Sequence, residues 1–139
     1  MAFFIGTFEN KVDRKGRVSV PSQFRQALSD SNFQGIVVFP SSRGGLLEAC
    51  GADHIEQLVN DGPSANLLDD GPLAPVHDIF YQLQQLSFDG DGRVILPLAF
   101  RDHAGISDQA SFVGIGRYIQ IWSPGRLAAY RAQHKGSTP

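Results

Sequence analysis

The chain has 139 residues, 42% of them hydrophobic and 19% charged, which suits a globular protein with a real core and excludes a disordered polyelectrolyte. A net charge of -2 excludes a uniformly cationic nucleic-acid binder, and a single cysteine, Cys50, excludes an intramolecular disulfide and a cysteine-based zinc site. The charge is unevenly spread: residues 1–25 carry +3, from Lys11, Arg14, Lys15, Arg17 and Arg25 against Glu9 and Asp13, and the remainder carries -5. Attraction for phosphate must therefore come from a local patch near the N-terminus, and a weak patch is expected to act in several copies at once. The start, MAFFIGTFENK, has neither the basic n-region nor the long apolar h-region of a signal peptide, and no run approaches the length of a membrane span. The cytoplasm is the expected location.

In chain order, Val12 to Val18 reads as a strand, a tight turn and a second strand, with Gly16 supplying the positive φ that such a turn needs. Pro21 ends the second strand and suits the opening of a short helix, whose apolar face is Phe24 and Leu28. Two short apolar strands follow, Ile36–Phe39 and Leu46–Cys50, and then a helix over Ala52–Asn60. Residues 61–75 are broken by Gly62, Pro63, Gly71, Pro72 and Pro75 and read as a linker. A short helix is expected over Pro75–Leu83.

The chain then repeats itself. Asp13, Gly16, Arg17, Val18, Pro21, Phe24 and Arg25 recur as Asp89, Gly92, Arg93, Val94, Pro97, Phe100 and Arg101, always 76 residues on, with Val20 replaced conservatively by Leu96. Phe112–Ile115 is aligned with Ile36–Phe39, and Tyr118–Trp122 with Leu46–Cys50, the first copy carrying four extra residues. A last helix is expected over Pro124–His134, with Ser123 as N-cap and Pro124 at its first position. The units are therefore residues 3–60 and 76–134, joined by the linker and followed by a polar tail at 135–139. Each unit alone would bury only a marginal core, so the two halves are expected to pack about a pseudo-twofold axis and share one.

Residues 4–25, FIGTFENKVDRKGRVSVPSQFR, resemble the start of MraZ-family proteins, and Asp89–Pro97 and Phe112–Trp122 are similar to the second half of that family. The resemblance covers nearly the whole chain except the linker and tail. It implies a β-rich α+β fold: an AbrB-like swapped-hairpin, double-ψ-type barrel with both halves in one chain and short flanking helices. It also implies a nucleoid-associated transcriptional regulator without cofactor. Such a regulator binds repeated promoter boxes upstream of the division and cell-wall gene cluster as a ring-shaped homo-oligomer.

Arg14, Lys15 and Arg17 are the expected DNA contacts, through phosphate and through guanine edges in the major groove, with Arg25 secondary. Asp13, Gly16, Asp89, Gly92 and Arg93 are assigned to the structure of the turns. The second turn carries Gly90 and Asp91 where the first carries Arg14 and Lys15, so it would meet DNA poorly. A catalytic or metal site is not expected. Asp89-Gly-Asp-Gly-Arg93 lacks the later Glu of an EF-hand, and His54, His77, His103 and His134 are scattered without ligand spacing. Cys50 sits in an apolar strand. The rival reading is an assembly module or an antitoxin-like, DNA-tethered partner. It is disfavoured by a second full repeat where such antitoxins carry a toxin-binding tail.

Overall fold

The computed structural model describes residues 2–60 and 80–134. The first repeat supplies β1 (Phe4–Lys11), β2 (Arg17–Ser19), α1 (Ser22–Ala27), β3 (Gly35–Pro40), β4 (Leu47–Cys50) and α2 (Ala52–Asn60). The second supplies the same series: β5 (Gln84–Ser87), β6 (Arg93–Ile95), α3 (Leu98–Ala104), β7 (Gln109–Gly116), β8 (Ile119–Trp122) and α4 (Pro124–His134). Both late helices match their expected bounds, and Ser123 caps α4 by accepting the Arg126 N–H at 3.1 Å. The linker, most of the short helix expected over Pro75–Leu83, and the tail lie outside the described residues; residues 80–82 are helical.

Among the described residues, eight strands form two antiparallel sheets. The larger runs β1-β7-β8-β4-β3-β5 and the smaller is the pair β2-β6. The first strand of each repeat leaves its own unit: β1 lies along β7 over eight residues, and β5 lies along β3. Exchanging the two repeats maps the strand order onto itself. The registers obey the same exchange. β2 and β6 pair about Val18↔Val94, and β4 and β8 about Glu48↔Gln120, each centre joining equivalent residues. The architecture is thus β-rich, an open antiparallel sheet with a small second sheet and short helices.

Alternation along β1 turns Phe4 and Phe8 inward and leaves Ile5, Thr7, Glu9 and Lys11 exposed. β3 is apolar throughout because both its faces are covered. Ile36 and Val38 face the main core, and Val37 joins Cys50, Ala52, Ile55 and Tyr118 under α2. The main core draws on both repeats, with Phe4, Phe24, Leu28 and Leu47 beside Leu96, Phe100, Phe112 and Ile121. Cys50 is fully buried, and that burial pushes its thiol pKa up to about 12, so it is a core residue.

The register corrects the alignment of the two copies. Val38 pairs Ala49 as Phe112 pairs Ile121, so Phe112 is equivalent to Val38 and not to Ile36. The four extra residues of the first copy therefore divide, two before β3 and two between β3 and β4. A shift of two keeps every side chain on its own face, so hydrophobic alternation alone could not detect it.

Among the positive-φ glycines of the described residues, two shape the turns that begin the ribbon. Gly16 and Gly92 follow the turn residues at φ +87° and +78°, a region costly for residues with a Cβ. Each is also covered by the other repeat. A Cβ on Gly16 would lie 2.6 Å from the Leu96 carbonyl oxygen and 2.9 Å from Arg101 Nε, whereas one on Gly92 would meet the Arg25 guanidinium at 2.5 Å. A flexible side chain can give way more readily than a backbone carbonyl. Gly16→Ala is therefore expected to cost about 2–4 kcal/mol and Gly92→Ala about 1–2 kcal/mol. Urea denaturation midpoints of the two variants should fall in that order.

Candidate nucleic-acid interface

The turn between β1 and β2 is built by one aspartate. The Gly16 N–H donates to the Asp13 carbonyl at 3.0 Å, and the Asp13 N–H donates to the Arg17 carbonyl at 3.0 Å. The Asp13 side chain then accepts from the Lys15 and Arg17 backbone N–H groups, both 2.9 Å from Oδ1, while Oδ2 accepts from Arg17 Nε at 2.6 Å. Asp89 repeats every one of these bonds with Gly92, Asp91 and Arg93, at 2.8 to 3.0 Å. The spacing Asp-x-x-Gly-Arg is thus a structural unit: a short carboxylate that closes the loop, a glycine for the left-handed step, and an arginine that caps the carboxylate.

What differs is the cargo of the turns. Arg14 and Lys15 are exposed at the tip of the first, while the second carries Gly90 and Asp91. Arg17 uses Nε on Asp13, and among the described residues nothing accepts from its terminal Nη nitrogens. Arg93 is held on both sides, by Asp89 through Nε and by Asp91, 3.3 Å from Nη2. The first turn thus presents three cations to solvent, one of them aimed by a carboxylate; in the second turn the single cation, Arg93, is held by two carboxylates.

The two turns stand at opposite ends of the β2–β6 ribbon, because the strands are antiparallel and each turn precedes one of them. Val18 and Val94 point into the core, and Arg17, Ser19, Arg93 and Ile95 point out. Arg25 does not join Arg14, Lys15 and Arg17. Its Nε donates to the Val20 carbonyl at 3.0 Å and its guanidinium covers Gly92, at the second turn. Arg101 makes the equivalent bond to the Leu96 carbonyl at 2.9 Å and covers Gly16. Neither role is visible from a charge count, although both arginines recur at one repeat position.

The remaining candidate chemistry is sparse. His54 Nε2 lies 3.1 Å from the Tyr118 hydroxyl and the rings meet edge to face, a packing contact between α2 and the β7–β8 turn. Among the described residues no three His, Cys, Asp or Glu side chains are grouped to hold a metal ion, and no helix is long and apolar enough to cross a membrane.

Asp13 and Asp89 have pKa values below the ordinary carboxylate value, chiefly because the backbone N–H groups of Arg17 and Arg93 donate to them. Folded-state values depressed in this way stabilise the fold above the unfolded value of 3.8, and that stabilisation disappears as the pH falls through the folded values. The Asp13→Asn/Asp89→Asn variant should start less stable at neutral pH. Its urea midpoint should then fall less than that of the wild type between about pH 5 and pH 2.

The chain is similar to known proteins over most of its length. The sequence model of the family described as "MraZ protein, putative antitoxin-like" matches residues 3–41 and 79–138, a span that includes both turns. A protein of Rhodospirillum rubrum named "Transcriptional regulator MraZ" is 46% identical over 134 residues, covering 94% of this chain and 85% of its own length. Proteins of the same name from Rickettsia bellii and Rickettsia akari are each 44% identical, over 95% and 89% of this chain and 89% and 83% of theirs. With relatives of this identity matching along nearly its whole length, and with the family's sequence model spanning both Asp-x-x-Gly-Arg turns, the chain belongs to the MraZ family.

Proposed function

We propose that the protein is a sequence-specific, DNA-binding transcriptional regulator that acts as a homo-oligomer and contacts DNA through Arg14, Lys15 and Arg17. The observation that carries this reading is the difference between the turns: Arg17 keeps its Nη nitrogens free of carboxylates, and Arg93 does not. A guanidinium held at Nε can present its outer nitrogens to guanine O6 and N7, while the neighbouring Arg14 and Lys15 take phosphates. A two-stranded ribbon fits the major groove. The names of the relatives support the regulatory part of the reading.

The exchanged first strands favour an AbrB-type swapped-hairpin barrel, whose units are residues 3–60 and 76–134 with 61–75 as linker and 135–139 as tail. Copies joined in a ring would multiply three cations per chain into an adequate footprint on repeated promoter boxes of the division and cell-wall genes. That work lies in the cytoplasm at the nucleoid and needs no cofactor or catalysis. An antitoxin-like role has the wording of the family description in its favour. The second complete repeat weighs against it.

Binding to a duplex from upstream of the protein's own gene, followed by fluorescence anisotropy across a salt series, tests this. The Arg14→Ala/Lys15→Ala/Arg17→Ala variant, its fold and assembly checked, should bind at least about tenfold more weakly. Its log–log salt slope should be shallower by about 2 to 3 per bound copy. Asp91→Asn should bind no more weakly than wild type. Absence of binding by wild type at low salt would favour an assembly module, and unchanged binding by the triple variant would move the interface elsewhere.

A further inference from the structure

The first turn is flanked by an apolar element that the second turn lacks, and it comes from the other repeat. Arg17 pairs across the ribbon with Ile95, and Ser19 with Arg93. All four face outward, since their neighbours Val18, Val94, Val20 and Leu96 are buried. The Leu96 N–H donates to the Gly16 carbonyl at 2.9 Å, which makes Arg17 and Ile95 a non-hydrogen-bonded pair. Their Cα atoms are then about 4.5 Å apart with side chains close together. Ile95 is nevertheless 57% exposed, and Leu98, at the start of α3, is 61% exposed. The equivalent residues beside the second turn are Ser19 and Ser22. The aliphatic pair therefore stands only where the cations stand.

We propose that Ile95 is a specificity residue of the DNA interface, packing on the C5-methyl group of a thymine in the major groove next to the guanine taken by Arg17. The inference rests on the DNA-binding reading of the first turn. The occupant follows from charge and chemistry. Arg14, Lys15 and Arg17 outweigh Asp13 and give the turn beside Ile95 a net positive charge, which selects a polyanion, and the thymine methyl is the apolar group that a polyanionic duplex offers in its major groove. Adjacent side chains on the ribbon are separated by little more than the roughly 3.4 Å rise of one base step. The thymine therefore lies within one or two base pairs of that guanine. The arrangement joins the two repeats: the first contributes the cations, the second the methyl contact.

The test pairs a protein change with a DNA change. Ile95→Ser installs the residue found at the equivalent place in the first repeat. Replacing thymidine by deoxyuridine in the upstream duplex removes the methyl group and leaves Watson–Crick pairing intact. Wild type should bind the uracil duplex about three- to fivefold more weakly, as loss of one buried methyl implies. Ile95→Ser should bind the thymine duplex more weakly by a similar factor and discriminate between the duplexes by less than about 1.5-fold, a coupling read directly from the cycle. Equal sensitivity of both proteins to the methyl group would overturn the proposal. So would an Ile95→Ser assembly that dissociates in light scattering, because Ile95 would then belong to a contact between copies. If wild type binds neither duplex, the DNA-binding reading falls together with this one. If wild type binds both but the coupling is absent, only the role of Ile95 falls.

Discussion

Arg101 closes over Gly16, and Arg25 closes over Gly92. In each case an arginine of one repeat covers the loop glycine of the other and ties its own Nε to the carbonyl just before its helix. The ladder does the same with the backbone: the Leu96 N–H reaches the Gly16 carbonyl, and the Val20 N–H reaches the Gly92 carbonyl. Each turn is closed by bonds to its own aspartate and is then covered by the opposite repeat. The shared core, the symmetric registers and the outward ribbon all follow from this mutual grip, because it fixes where β2 and β6 meet and which of their side chains are left to solvent.

Much of this was legible in the sequence because the repeat is strong where the backbone is most constrained. Asp, Gly and Arg recur at fixed spacing since a closed loop needs a short acceptor, a left-handed residue and a capping donor, and these three residues meet all three needs. The last helix was readable from Ser123 and Pro124, and the first from Pro21 and the apolar pair Phe24–Leu28. The strand partners were not. Periodicity states that Phe4 and Phe8 face inward, but nothing local says that β1 lies beside β7 and not beside its own repeat. The two-residue error in aligning Phe112 has the same origin, since side-chain direction in a strand repeats every second residue.

The candidate site was half legible. Charge located Arg14, Lys15 and Arg17, and the acidic second turn marked the asymmetry. Sequence reasoning kept Arg25 as a secondary contact behind the other cations, whereas the pairing of β2 with β6 sets its guanidinium over Gly92, at the opposite end of the ribbon. Ile95 was passed over for the converse reason. It is remote in sequence from Arg17 and adjacent in space. A signal did exist, in the replacement of Ser19 and Ser22 by Ile95 and Leu98 between otherwise parallel copies, and it becomes interpretable only once the partner of each strand is known.

The pairing of β1 with β7 also bears on how the chain is made. β1 ends at Lys11 and its partner is not complete until Gly116, so roughly a hundred residues must leave the ribosome before the first strand has anything to pair with. At about 5–20 residues per second that is a wait of roughly 5–20 seconds. Throughout it, the Phe3-Phe4-Ile5 start is an unpaired, apolar strand edge, the kind of segment that nascent-chain chaperones hold and that aggregates when they do not. Glu9 and Lys11, exposed on the face of β1 away from the core, put charge at the end of that apolar strand, where charge opposes edge-to-edge aggregation.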